Sequence, residues 1–329
     1  NRNGRLVERY RLTRRQFELF WGTRERCRVL MEACASAHYW GRRLASQGFE
    51  VRLLPPQYVR PYVRRSKTDR TDTEALLEAD RCAGIRPVAL KSERQQALAS
   101  LHRVRSQWMK TRTARINAAR GLLREFGIVL PQGAARLREL IVEVLADAER
   151  ELPAEVRHAV SLLTEEIREL ERRIREVEAE LDGTAREEPT ICTLRRIPGV
   201  GLLSATALYA AVGNIHSFSS GRHLASWLGL TPRECSSGSR RHLGRISKQG
   251  DVYLRTLLVH GARAVLLAAQ RKRKAGEPLT RLQQWAVEKA CDRHSNRAAV
   301  ALANKLARTI WAVWHYRRDF DGDYLPRAA

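Results

Sequence analysis

Val156-Arg-His-Ala-Val160-Ser-Leu-Leu163-Thr-Glu-Glu-Ile167-Arg-Glu-Leu170-Glu-Arg-Arg-Ile174-Arg-Glu-Val177-Glu-Ala-Glu-Leu181 carries apolar residues in alternating steps of four and three, with charged residues filling most other positions. That spacing keeps one apolar seam along a helix and is the pattern of coiled-coil pairing. Two partners satisfy the seam: an antiparallel helix of the same chain, or a second copy of the chain. Residues 94–126 are the internal candidate. They hold Leu98, Leu101, Trp108, Ile116, Ala119 and Leu123 with Arg103, Arg105, Lys110, Arg112, Arg115, Arg120 and Arg124 between them, which predicts one long basic helix.

On the N-terminal side of this middle segment, short β-like runs at 6–12, 28–31 and 49–54 alternate with helical stretches at 14–21, 35–46 and 69–82. Such alternation predicts an α/β layer over residues 1–93. On the other side, residues 182–190 are rich in small and charged side chains and predict a loop and a domain boundary. The third unit, 191–329, reads as mainly helical, and the middle unit spans 94–190.

Across its 329 residues the chain carries 60 Lys+Arg against 36 Asp+Glu, a net charge of +24. The excess is mostly arginine spread along the length, whose planar fork grips phosphate, so the expected partner is nucleic acid. A hydrophobic fraction of 43% with seven tryptophans excludes a merely disordered basic arm. Cys27, Cys34, Cys82, Cys192, Cys235 and Cys291 are scattered without zinc-ligand spacing and read as reduced cytosolic thiols. No uninterrupted apolar run reaches the roughly 18 residues of a membrane span, and Asn1-Arg-Asn-Gly-Arg5 lacks the apolar core of a signal peptide, so no membrane partner is expected.

Three constellations carry possible chemistry. Ile197-Pro-Gly-Val-Gly201 before the helical residues 202–212 has the form of a helix-hairpin-helix, in which Gly199 and Gly201 expose backbone N–H groups to a DNA phosphate; a plain turn between packed helices is the alternative. Residues 229–250 read as a loop with four glycines and five cations, suited to wrapping a phosphodiester. In it stand Ser236, Ser237 and Ser239. A serine attacking phosphorus needs cations to stabilise the developing charge, and Arg240, Arg241, Arg245, Lys248 and Arg255 are the candidates; composition alone equally allows an ordinary phosphate-binding loop. In Lys67-Thr-Asp-Arg-Thr-Asp-Thr-Glu74, Asp69 and Asp72 share a helix face and can hold Mg²⁺ or Mn²⁺, or simply cap the helix. Glu32, after the strand-like 28–31, is a third acid. On the C-terminal helix, Asn304, Lys305, Arg308 and Trp311 share a face by spacing.

Taken together, Met31-Glu-Ala-Cys34, Leu54-Pro-Pro-Gln-Tyr-Val-Arg-Pro-Tyr-Val63, the Lys67 to Glu74 motif, Ile197 to Gly201, Trp227-Leu-Gly-Leu-Thr-Pro232, Ser237-Gly238, Gly244-Arg-Ile-Ser-Lys248 and Leu254-Arg-Thr-Leu-Leu-Val-His-Gly-Ala-Arg263 resemble the insertion-sequence 110 family of transposases over nearly the whole chain. The resemblance implies an N-terminal ribonuclease-H-like (RuvC-like) DEDD domain and a C-terminal serine domain. It makes Glu32, Asp69 and Asp72 three of the four metal-binding acids and Ser237 the nucleophile. It further implies donor and target DNA, a structured guide RNA from the same element, a homo-oligomer (dimer or tetramer), and a cytoplasmic, nucleoid-associated protein. The family's first Asp lies on a strand resembling Gly-Ile-Asp that has no counterpart here, so the resemblance implies a chain lacking its first strands. Two rival readings follow from that gap: an inactive nucleic-acid-binding remnant, and a junction nuclease using only the acids.

Overall fold

The strand pair that opens the fold is parallel. Strand β1 (Arg28–Glu32) lies beside β2 (Glu50–Leu54), in register from Arg28 opposite Glu50 to Glu32 opposite Leu54, and the helical crossover that parallel pairing requires contains α2 (Ala37–Ser46). The computed structural model describes residues 7–63, 68–131, 133–147, 151–292 and 294–324. The chain divides into two units, 1–96 with 212–219, and 97–211 with 220–329.

In the first unit, α1 (Arg14–Thr23) precedes β1 and is closed by a capping box between Thr13 and Gln16. After β2 come the single turn α3 (Pro56–Val59), a 3-10 turn at Arg60–Tyr62 and α4 (Asp69–Arg81). Val29, Leu44 and Phe49 form one apolar cluster with Trp21, Met31 and Val51; Leu54, Val59, Ala75 and Ala79 form another, on α3, α4 and the end of β2. The strand expected over 6–12 is not found: Leu6 lies outside the described residues and 7–13 has no regular structure. A strand needs a ladder neighbour for its N–H and C=O groups, and none of the described residues pairs with this segment. Val7 and Tyr10 are exposed, and Arg24 ties the segment down through Glu8 at 2.8 Å.

The second unit is built on an antiparallel helix pair, α5 (Glu93–Glu125) and α7 (Ala154–Glu187). Arg105 meets Glu178 at 2.7 Å, Arg112 meets Glu171 at 3.6 Å, and Arg115 pairs with Glu166, so sequence numbers rise on one helix as they fall on the other. The seam of Val160, Ile167, Leu170, Ile174, Val177 and Leu181 is buried, and its partner lies in the same chain. Helix α6 (Ala134–Ala146), which the spacing does not announce, packs Ile141 and Val144 against Ile116, Leu123, Val160 and Ile167. The loop expected at 182–190 is helical to Glu187. Gly183 costs a helix interior roughly 1 kcal/mol relative to alanine, but Leu181 and Ala185 on either side are fully buried, and Asp182 pairs with Arg186 at 2.6 Å and Arg195 at 3.0 Å.

The chain continues through α8 (Pro189–Arg195), α9 (Leu202–Val212), α10 (Gly221–Trp227), β3 (Pro232–Glu234), β4 (Leu243–Ile246), α11 (Val252–Lys274), α12 (Arg281–Asp292) and α13 (Ser295–His315). Helices α10, α11 and α12 pack on α13. Among the described residues α11 alone is long and apolar enough to cross a membrane; its Leu254, Leu258, Ala262, Val265, Leu266 and Ala269 are buried inside the unit, and Arg255, His260 and Arg263 interrupt it. All six cysteines are free.

A buried polar chain ties α5, α7, α9 and α11 together. Thr206 Oγ1 donates to Leu202 O at 2.7 Å, so it accepts from His102 Nε2 at 2.9 Å. That leaves Nδ1 of the neutral ring as acceptor for the Tyr253 hydroxyl at 3.1 Å, beside the Arg105–Glu178 pair. Burial, with Arg105 nearby, pushes His102 down to about 4. Below its ordinary value near 6.5 the unfolded chain takes up a proton that the folded chain refuses, so stability falls as pH drops from 6.5 to about 4, by roughly 2–3 kcal/mol in total. Urea unfolding from pH 4 to 7 checks this: His102→Gln should flatten the slope, and an unchanged slope would remove His102 as its source.

Candidate functional site

The segment read as a loop, 229–250, folds as a β-hairpin. Pro232 pairs with Ile246 and Glu234 with Leu243, with a bulge between them, and Cys235 N donates to His242 O at 3.0 Å. Ser237 and Arg240 then exchange backbone bonds at 3.3 and 3.1 Å, leaving Gly238 and Ser239 as a two-residue turn. Gly238 has φ 54°, the left-handed first position that such tight turns reserve for glycine. Strands of three and four residues containing Pro, Arg and Gly carry no alternation, and the Ser-Gly pair was the only local signal of a turn.

The hairpin separates the three serines. Ser236 Oγ donates to Glu234 Oε1 at 2.9 Å and accepts from His242 N at 3.1 Å. Ser237, the last residue before the turn, is exposed, and its hydroxyl has no partner among the described residues. Ser239 sits within the turn. Glu234, held below the usual carboxylate range by the Ser236 hydroxyl and by Arg241, faces the wrong serine to serve Ser237. Of the expected cations, Arg241 pairs with Glu234 at 3.1 Å, whereas Arg240, Arg245 and Lys248 are exposed and have no carboxylate partner among the described residues. Arg255 is corrected: it is buried, and its Nη1 donates to Leu228 O at 3.2 Å and Gln249 O at 2.9 Å. It joins the two feet of the hairpin and is not placed to touch phosphate.

Helices α8 and α9 are joined through the turn that holds Pro198-Gly199. Gly199, at φ 83°, is turned against α11: a Cβ there would stand 2.8 Å from Gly261 O, and one on Gly261 only 1.9 Å from Gly199 O. Its place in the sequence motif therefore reflects close backbone packing. Gly201 is exposed with open space around it, directly before the first N–H groups of α9.

In the first unit Glu32 ends β1 in an exposed position. Thr68 is the N-cap of α4, exchanging bonds with Thr71, so neither aspartate is needed as a cap. Asp69 and Asp72 occupy the first turn, where the helix dipole favours negative charge. Asp69 is exposed and 3.5 Å from Arg9. Lys67 of the same motif lies outside the described residues.

Comparison with known proteins meets this geometry at both ends. Residues 3–128 match the DEDD transposase family model and residues 192–276 the transposase model described as "IS116/IS110/IS902 family". The chain is 42% identical over 314 residues to a probable family 20 transposase of Pseudomonas aeruginosa, covering 95% of this chain and 91% of that one. The chain belongs to the IS110 family of insertion-sequence transposases. It is also similar to the transposase for insertion sequence element IS1111A of Coxiella burnetii, 40% identical with 87% and 77% covered, and to that for IS1328 of Yersinia enterocolitica, 36% identical with 95% and 91% covered.

For this transposase the DEDD class implies a divalent metal. Glu32, Asp69 and Asp72 offer the hard oxygen donors such an ion takes, yet among the described residues no three His, Cys, Asp or Glu side chains gather closely enough to hold one. The acids as placed do not form a metal centre. The hairpin of the 192–276 region is complete, whereas the acids supply the donor chemistry without the enclosure.

Proposed function

We propose that this transposase cuts and rejoins DNA through Ser237, on donor and target strands selected by a structured RNA of its own element, as a homo-oligomer in the bacterial cytoplasm. The observation that carries the reading is the exposed, unengaged Ser237 hydroxyl at the tip of a hairpin bearing Arg240, Arg245 and Lys248. Ser237 Oγ forms a bond to phosphorus as the bond to the departing strand's oxygen breaks; the serine proton leaves and the departing strand gains a hydroxyl. The cations stabilise the charge that develops on the phosphoryl oxygens. Attack by a hydroxyl of the second strand reverses the sequence and frees the serine, so the phosphodiester count is conserved. Glu32, Asp69 and Asp72 are assigned to the acidic site of a ribonuclease-H-like domain over residues 1–93, with the helical middle over 94–190 and the serine domain over 191–329.

The test is a denatured digest of the protein after incubation with DNA bearing the element's ends and the element's RNA. A peptide containing Ser237 joined to a nucleotide through phosphate is the expected product. Cleaved DNA with free ends and no adduct at any serine would instead indicate hydrolysis by the acids.

A further inference from the structure

Beyond the matched region 192–276, α12, α13 and residues 318–324 enclose a groove of about 1200 Å³ that reaches Leu230, Pro232 and Ile246 at the foot of the serine hairpin. Asn304 Nδ2 fixes that junction, donating to Leu230 O at 3.1 Å. Arg281, Arg297, Lys305 and Arg308 line the groove; among the described residues none of their side chains has a carboxylate partner, and the Arg281 backbone N–H donates to Asp323 Oδ1 at 2.8 Å. Of the acids that also line it, Asp319 pairs with Arg196 at 2.5 Å, while Glu288 and Asp321 meet only neutral donors, the Gln284 amide at 3.1 Å and the Asp323 N–H at 2.9 Å. Lys305 is half-buried with its Nζ 4.4 Å from the centre of the Trp285 ring, and burial, with Arg308 and Arg281, pushes its ammonium below the ordinary lysine range. Five cations against three carboxylates line the groove, and such a surplus of cations, with Lys305 half-buried among them, is relieved by an anion.

We propose that this groove binds an unpaired nucleic-acid strand, its phosphates held by Arg281, Arg297, Lys305 and Arg308 and a base stacked on Trp285. Cations alone would suit any polyanion. The indole among them selects for an exposed base face, which a paired duplex hides and a single strand offers. The groove ends at the hairpin, so a strand lying in it passes the element that carries Ser237.

Binding of eight-nucleotide oligo(dT) and oligo(rU), and of a duplex of equal length, to the whole chain tests this in the absence of strand transfer, so the inference and the serine mechanism fail separately. Arg297→Gln with Arg308→Gln, both exposed positions, should weaken single-strand binding about tenfold or more and lower its salt dependence, with Tm unchanged. Trp285→Ala should cost a further roughly tenfold on single strands only, and Trp285→Phe should restore most of it. The DNA and RNA arms report which strand the groove prefers. Single-strand affinity unchanged in the double variant, or duplex affinity lost equally, overturns the proposal.

Discussion

Ser237→Ala is expected to lower strand transfer by at least about 10⁴-fold while leaving DNA affinity within a factor of about two, as follows when a nucleophile is removed from an otherwise intact site. The unchanged affinity follows from the absence of any hydrogen bond to the Ser237 hydroxyl within the described residues: deleting it disturbs no contact that shapes the hairpin. Ser236→Ala should behave differently. It releases Glu234 and the His242 N–H, loosening the strand that presents Ser237, so a partial loss of roughly tenfold is expected from one or two hydrogen bonds. Ser239→Ala removes a turn hydroxyl and should transfer strands nearly as wild type. Quantifying joined product against bound DNA for the three variants decides the assignment; full activity in Ser237→Ala with loss in a neighbour would move the nucleophile.

Gly261→Ala should destabilise the second unit by about 4 kcal/mol or more, at the rare end of single substitutions. Alanine in a helix ordinarily gains about 1 kcal/mol over glycine. Here the new Cβ would lie 1.9 Å from Gly199 O and 2.9 Å from Gly199 C, and backbone cannot rotate aside as a side chain does. Nor can α11 retreat, because Leu258, Ala262 and Leu266 are buried around the contact. Gly183→Ala is the matched control: it lies inside α7 with nothing within 4 Å of an added Cβ and should be stabilising. Denaturant midpoints of the two variants should move in opposite directions; a Gly261→Ala midpoint near wild type would show that the helices separate freely.

The long helices were legible because the seam from Val156 to Leu181 repeats over many turns, and each apolar residue meets a neighbour three or four positions away. The parallel β1–β2 pair was legible for a similar reason, its apolar runs flanking one helix. The loop expected at 182–190 is helical to Glu187 because small and charged residues carry only a weak local preference, whereas burial of Leu181 and Ala185 carries the helix through Gly183. The hairpin at 232–246 is not legible in the sequence because its strands are too short to show a period.

For the candidate site, residue types were legible and engagement was not. Arg240, Arg241, Arg245, Lys248 and Arg255 read alike as five cations, yet one neutralises Glu234, one is buried against Leu228 O and Gln249 O, and three remain for a phosphate. Local spacing and charge belong to the string itself, since they depend on residues within a helical turn or on a simple sum; by them the sequence determined the helix pairing pattern and the polyanionic partner. Which hydroxyl is unengaged, which glycine is a backbone contact and which cations converge on a groove depend on residues far apart in sequence, such as Gly199 with Gly261 and Leu230 with Asn304. Only the tertiary structure, by excluding water from some of these groups and leaving others exposed, decided them.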